Sequence, residues 1–350
     1  MKRRYRFLLS FLAVLGYLIF FPRELSSALS LTPQAIFDLD VSRTAQPVEE
    51  TIPFAASGYA GFIDPEGRPV YTEKLRYGAA VSPEALINYD SVSTQLVLRN
   101  NEGDIRSVIE TRGYPFFLQE RLLVISTDRL KLIEFSLDGE EQWRMAFPSL
   151  VTTCAASGDR ILVGLLNGTF LFLDKGGDIL FRFKPPESRI KVAYGAAIDP
   201  STEASLVVAG IDPQTAYLLE ELKGELNSID SFILDSELRR NLLVVSLNSG
   251  RFAIEQNNGF ILLDRSNLRR RKFSIPGQLL TVAGHPGSDI LAVMSRDGTD
   301  RYLTLLGSES RYRGGLILSG NDTGTSIVWS GDRLIVIADG RVLVYHLEFV

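Results

Sequence analysis

The sequence predicts an all-β protein, a ring of four-stranded blades (a β-propeller), behind an N-terminal hydrophobic helix. Three observations predict it. Short runs of Val, Ile, Leu, Phe and Tyr are broken every five to ten residues or so by Asn-Gly, Asp-Gly and Gly-Gly turns. A unit of such runs recurs at a spacing of about 36 to 50 residues, the range in which propeller blades repeat. No apolar period of 3.6 residues competes over a useful length.

The N-terminus comes first in chain order. Lys2, Arg3, Arg4 and Arg6 precede an uncharged run from Phe7 to Phe21, which Pro22 ends. This is the order of an export signal, with the positive end held on the cytoplasmic side. Ser26 and Ala28 stand at the spacing of a cleavage site after Ala28. The run is long for a signal peptide and slightly short for a full span, and an uncleaved anchor is the reading adopted over a cleaved signal. Either outcome places the remainder outside the cytoplasm, in the periplasm or cell envelope. Residues 1–29 are thus a signal anchor or signal peptide. Residues 30–57, with Pro33, Pro47 and Pro53, read as a flexible tether carrying a short helical turn at Gln34 to Leu39. Residues 58–350 form the propeller.

Within the propeller the clearest unit is Arg160 to Leu166, the turn Asn167-Gly168, Thr169 to Asp174, the turn Gly176-Gly177, then Asp178 to Phe183. Such turns supply the positive φ angles that tight hairpins need. First strands are expected near Tyr77, Gly113, Leu150, Ile190, Ile229, Leu279 and Thr325. Second strands carry the strongest apolar runs, as in Arg121 to Ile125, Asn241 to Val245 and Arg333 to Ile337. The last unit stops after three strands, and Pro69 to Leu75 is a strand with no unit before it. Pairing the two closes a ring of seven blades and removes the open edges. Gly58 to Asp64 is then either an extra edge strand or half of an eighth blade.

Composition narrows function by exclusion. The chain has 350 residues, 45% hydrophobic and 23% charged, with a net charge of -5. That balance belongs to a packed globular protein and gives no basic face for nucleic acid. One cysteine excludes a disulfide framework, and Cys154, in an apolar run, reads as a buried inert thiol. His285 and His346 have no second histidine or cysteine nearby to build a metal site. Glu49-Glu50 and Glu220-Glu221 are adjacent in sequence, so on a strand their side chains point apart. No nucleophile elbow, phosphate loop or metal-spaced cluster is present. No catalytic, cofactor-binding or metal-binding residue is assigned, and the chain is predicted not to be an enzyme.

Phe135-Ser136-Leu137-Asp138-Gly139-Glu140-Glu141-Gln142-Trp143 resembles the blade motif of the PQQ-like and WD40-like repeat propellers. Phe62 to Gly67 and Phe172 to Gly177 are weaker copies. The resemblance covers about residues 58–350. It implies a scaffold for protein contacts, as in the propeller lipoprotein of outer-membrane protein assembly. The adjacent cysteine pair of the group's quinone-dependent dehydrogenases is absent, so no cofactor is carried over. No cysteine stands directly after the apolar run, so a lipoprotein anchor is not expected.

Binding residues on propellers usually lie on loops that join blades or link second to third strands. On those loops Arg112, Tyr114, Arg129, Arg189 and Arg251 are of the types that anchor interfaces. A second candidate is the basic run Arg269, Arg270, Arg271 and Lys272, with Arg265 nearby. It would dock an acidic partner or anionic lipid, or serve as an edge-strand guard. The expected function is a non-catalytic, membrane-tethered scaffold binding protein partners in the envelope or periplasm, in the manner of an envelope-assembly factor. The alternatives are an enzyme with its site in the propeller channel, such as a carbohydrate-active one, or a ligand- or glycan-sensing domain.

Overall fold

A computed structural model describes residues 29–44, 48–186, 188–236, 238–247, 250–307, 312–319 and 324–349. The expected hydrophobic helix and its basic flank lie outside these residues. Among the described residues no helix is long and apolar enough to cross a membrane.

Eight antiparallel four-stranded sheets make the ring, not seven. Blades 2 to 7 are continuous in sequence: residues 78–109, 114–146, 151–183, 190–233, 244–274 and 278–319. Their first strands lie innermost and touch in succession around the axis. Each sheet is covered on both sides by its neighbours. Its middle strands therefore read as unbroken apolar runs and not as alternations. Phe170, Phe172 and Leu162 of blade 4 pack against Val207, Tyr217 and Leu219 of blade 5, all buried. Each such aromatic or leucine contributes about 1.5–3 kcal/mol on burial.

The resemblance motif works between blades. In blade 4 the turn after Leu173 brings Gly177 beneath Trp143 of blade 3, whose Nε1 donates to the Lys175 carbonyl at 3.0 Å. The turns at Gly103 and Gly139 dock in the same way on Tyr71 and Ser107 of the preceding blades.

Closure differs from the sequence expectation. The C-terminal strand Arg341–Phe349 pairs with Leu29–Asp38, and not with a strand at 69–75. Pro69–Lys74 is instead the third strand of blade 1, between Tyr59–Ile63 and the two-residue outer strand Ser42–Arg43. The stretch expected as a tether thus supplies the outer strands of both blade 8 and blade 1, and then the inner strand Ile52–Ala56. In place of the expected turn at Gln34 there is a bulge, with the register shifting between Pro33 and Ala35. Proline is tolerated there because the strand is an outer edge with no further partner.

Blade 1 is also inverted. Thr51 Oγ1 donates to the carbonyl of Pro83, in the first turn of blade 2, at 2.9 Å. At the other end of Ile52–Ala56, the Ser57 N–H donates to the Gly324 carbonyl, just before blade 8's first strand, at 3.1 Å. The inner strand of blade 1 therefore runs opposite to those of the other blades. Between the outer strand Ser42–Arg43 and the inner strand Ile52–Ala56 the chain passes from the rim of the blade to the axis.

Two faces follow from this path. The upper face holds the connections between blades and between second and third strands. The lower face holds the first-to-second and third-to-fourth turns, and in the inverted blade 1 residues 64–68 belong to it.

Blade 6 starts at Val244 and not near Ile229, which lies in Glu225–Ile233, the outer strand of blade 5. Asn241 to Val245 therefore leads into a first strand, not a second.

Candidate partner-binding face

On the upper face, exposed large side chains gather over blades 2 to 5. Tyr77 is 58% exposed, Leu150 38%, Leu166 43% and Ile190 43%, and all four sit on or beside connecting loops. Short contacts run along parts of this stretch. Tyr77 meets Tyr89 edge to face, with ring centroids 6.1 Å apart. Burial, with the neighbouring phenols of Tyr77 and Tyr114, holds the Tyr89 hydroxyl above the usual tyrosine range. The guanidinium of Arg129 lies 5.8 Å from the Tyr114 ring centroid. Arg129's carbonyl accepts from Val151 N at 2.8 Å, and Leu166 N donates to the Leu150 carbonyl at 2.8 Å. The Arg189 N–H then donates to the carbonyl of Asp212 at 3.3 Å.

Local backbone geometry sets these positions. Arg129 has φ 56°, a left-handed conformation that non-glycine residues seldom adopt and that costs about 1–2 kcal/mol. Gly113 lies between Arg112 and Tyr114 with φ 158°. A Cβ there would fall 2.3 Å from the Ile125 carbonyl oxygen, so only glycine lets the chain enter blade 3 so closely. The band ends at blade 5 in a cavity of about 470 Å³ lined by Ile211, Asp212, Gln214, Ile233 and Arg239.

Four of the five sequence-predicted loop residues lie on this face, and of these Arg129 and Tyr114 touch. Arg112, Arg129 and Arg189 are exposed, Tyr114 is half-buried, and the three guanidiniums have no ion-pair partner among the described residues. Arg251 is a correction. It opens the second strand of blade 6 on the lower face, is only 9% exposed, and ion-pairs with Asp289 at 3.4 Å. Starting blade 6 one strand early in the sequence reading moved it to the wrong face.

The basic run is an inter-blade clamp more than a docking strip. Arg269–Ser274 is the outer strand of blade 6. Arg270 holds both carboxylate oxygens of Asp230 at 2.7 Å and lies 4.3 Å from the Phe232 ring centroid, both on blade 5. Lys272 reaches Asp235 at 2.9 Å, and Arg265 pairs with Glu220. Arg269 and Arg271 alternate to the other side of the strand.

Sequence reasoning missed the apolar members of the band and the charge asymmetry. Among the described residues, the lower connections carry 17 Asp and Glu against 4 Lys and Arg, whereas the upper ones carry 7 of each. Several upper carboxylates are already engaged. Asp90 pairs with Arg76, Glu110 accepts from Gln95, and Asp128 is held by Ser126 and Leu130. Those hydrogen bonds keep the Asp128 carboxyl below its ordinary range. The band therefore presents, among apolar side chains, cations that have no ion-pair partner among the described residues. Among the described residues no group of three His, Cys, Asp or Glu side chains could hold a metal ion.

A closed ring of eight four-stranded blades defines a β-propeller. The chain belongs to the beta-propeller protein family, whose model matches residues 1–313. Among solved structures it is similar to the crystal structure of BamB from Moraxella catarrhalis. The TM-score is 0.65 at 13% identity, with 91% of this chain and 100% of that chain covered. At that identity the likeness establishes the fold. No curated protein sequence matches the chain.

Proposed function

We propose that this protein is a non-catalytic, extracytoplasmic scaffold, tethered to a membrane by its N-terminal segment, that docks a protein partner of the cell envelope on its upper face. The single observation that carries this reading is the band from Tyr77 to Ile190, where apolar side chains lie among guanidiniums that have no ion-pair partner among the described residues. Arginine and tyrosine over desolvated apolar surface are what interface hot spots are made of. The charge pattern selects the partner: an acidic segment with aliphatic anchors, steered to the upper face and repelled by the lower one. The export-type N-terminus and the propeller fold shared with BamB support the setting, without bearing on the partner's identity.

The test uses a fluorescent acidic amphipathic peptide, its basic counterpart and the purified propeller. The acidic peptide should bind, more weakly as salt rises, and the basic one should not. Changing Arg112→Ala, Tyr114→Ala, Arg129→Gly and Arg189→Ala together should abolish binding with little change in melting. Retained binding in that variant, or preference for the basic peptide, would show the band is not the docking face. Substrate turnover abolished by one carboxylate change in the channel would overturn the non-catalytic reading.

A further inference from the structure

We infer that the propeller stands on the rim of blade 8 at the membrane surface, with its partner-binding band on the membrane-distal side of the ring. The inference rests on the reading that Phe7 to Phe21 holds the chain in a membrane. The described chain enters the ring at Leu29, which pairs with Phe349 at the lower end of blade 8's outer strands. Leu347 N there donates to the carbonyl of Asp332, in a lower-face turn, which fixes that end as the lower one. Because Leu29–Asp38 belongs to the sheet, residues 30–57 give no slack. Only the seven residues 22–28 separate the apolar run from the ring. A chain of that length spans at most about 25 Å even when fully extended.

Charge then decides how the ring lies. The nearest face is the lower one, whose connections among the described residues carry 17 acidic against 4 basic residues, seven of those carboxylates being paired with arginines. An anionic headgroup layer repels such a face over about a Debye length, roughly 8–10 Å. The tether pulls in one edge while the acidic face is pushed away, so the ring tilts up on blade 8. In a ring of eight, blade 4 lies across from blade 8, so blades 3 to 5, which carry most of the band, make up the far side and blade 2 lies a quarter-turn away. The partner would then be engaged away from the lipid surface.

The experiment uses the full chain in vesicles containing phosphatidylglycerol, with a headgroup-linked quencher. In a Cys154→Ala background, a single fluorophore is attached through Glu348→Cys at the rim of blade 8, Asp159→Cys on the lower face of blade 4, or Leu166→Cys in the band. The label at 348 should lose most of its fluorescence, and those at 159 and 166 should lose little. Strong quenching at 159 would mean the ring lies flat on its lower face. Quenching at 166 equal to that at 348 would mean the band faces the membrane. Either overturns the orientation while leaving the anchor intact. If no label is quenched and the chain leaves the vesicle fraction with a mature mass starting at Leu29, the anchor reading itself fails and the orientation with it.

Discussion

Trp143 of blade 3 rests on Gly177 of blade 4, its indole N–H bonded to the carbonyl of Lys175 at 3.0 Å. A Cβ on Gly177 would lie 2.7 Å from the indole Cδ2, and the residue's φ is +86°. Gly177→Ala should therefore force the ring off its seat and strain the turn, costing about 1–3 kcal/mol. Urea unfolding measures it. An unchanged midpoint would show that the contact does not hold the blades together.

The ring closes through Leu29–Asp38 and Ser42–Arg43, which cover the edges of blades 8 and 1. Removing residues 29–43 should cost the domain its single cooperative melting transition, because two edges then lie open. Truncation after Ser330 should do the same from the other side. Phe37→Asp is a milder probe, since Phe37 packs on the cluster of Ile335, Val342 and Val344. A loss of about 2–4 kcal/mol is expected from placing a charge there. A deletion mutant with a sharp, native-like transition would refute closure by this segment.

Arg270→Ala separates clamp from docking strip. It removes a two-pronged bond to Asp230 and the stacking over Phe232. Arg270 is partly exposed, so the expected destabilisation is only about 1 kcal/mol. Capture of an acidic peptide should not change. If stability holds and capture falls instead, the basic strand is a binding surface after all.

How much of this was legible follows from which physical signals are local. The turns at Asp138-Gly139 and Gly176-Gly177, and the strands they join, can be read directly, because a tight turn depends on a few adjacent residues. The closing strand could not be read that way. Leu29–Asp38 contains Pro33 and an extra residue at Gln34, so its alternation breaks, and only its long-range partner Arg341–Phe349 makes it a strand. Blade 6 was mis-phased because the nine-residue strand Glu225–Ile233 is followed by a long connection, which looks like the interval between two first strands. That error sent Arg251 to the wrong face. The band itself was half legible. Arg112, Tyr114, Arg129 and Arg189 follow from loop position and residue type, but the exposure of Leu150, Leu166 and Ile190 depends on neighbouring blades far away in sequence.

Cys154 provides a test that depends on packing alone. It lies on Val151–Ser157, the inner strand of blade 4, against the cluster of Leu123, Leu165 and Leu171. Burial pushes its thiol up to about 12. In the unfolded chain a cysteine titrates near 8.5. Above about pH 9 the unfolded state has therefore released a proton that the folded state still holds, and stability must fall as pH rises towards 12. The slope approaches about 1.4 kcal/mol per pH unit once the unfolded thiol is fully ionised. Tyr71, Tyr89, Tyr194 and Tyr345 are also raised, each by burial first, but they start from 10. Between about pH 8.5 and 9.5 the loss accordingly belongs mainly to Cys154. Urea unfolding across that interval should show a decline in the native protein that flattens in Cys154→Ala. Cys154 is half-buried and not sealed off, so a thiol reagent at pH 8 should label the native protein much more slowly than the unfolded chain. Equal declines in the two proteins, or rapid labelling without denaturant, would mean that the first strand of blade 4 leaves this thiol open to water.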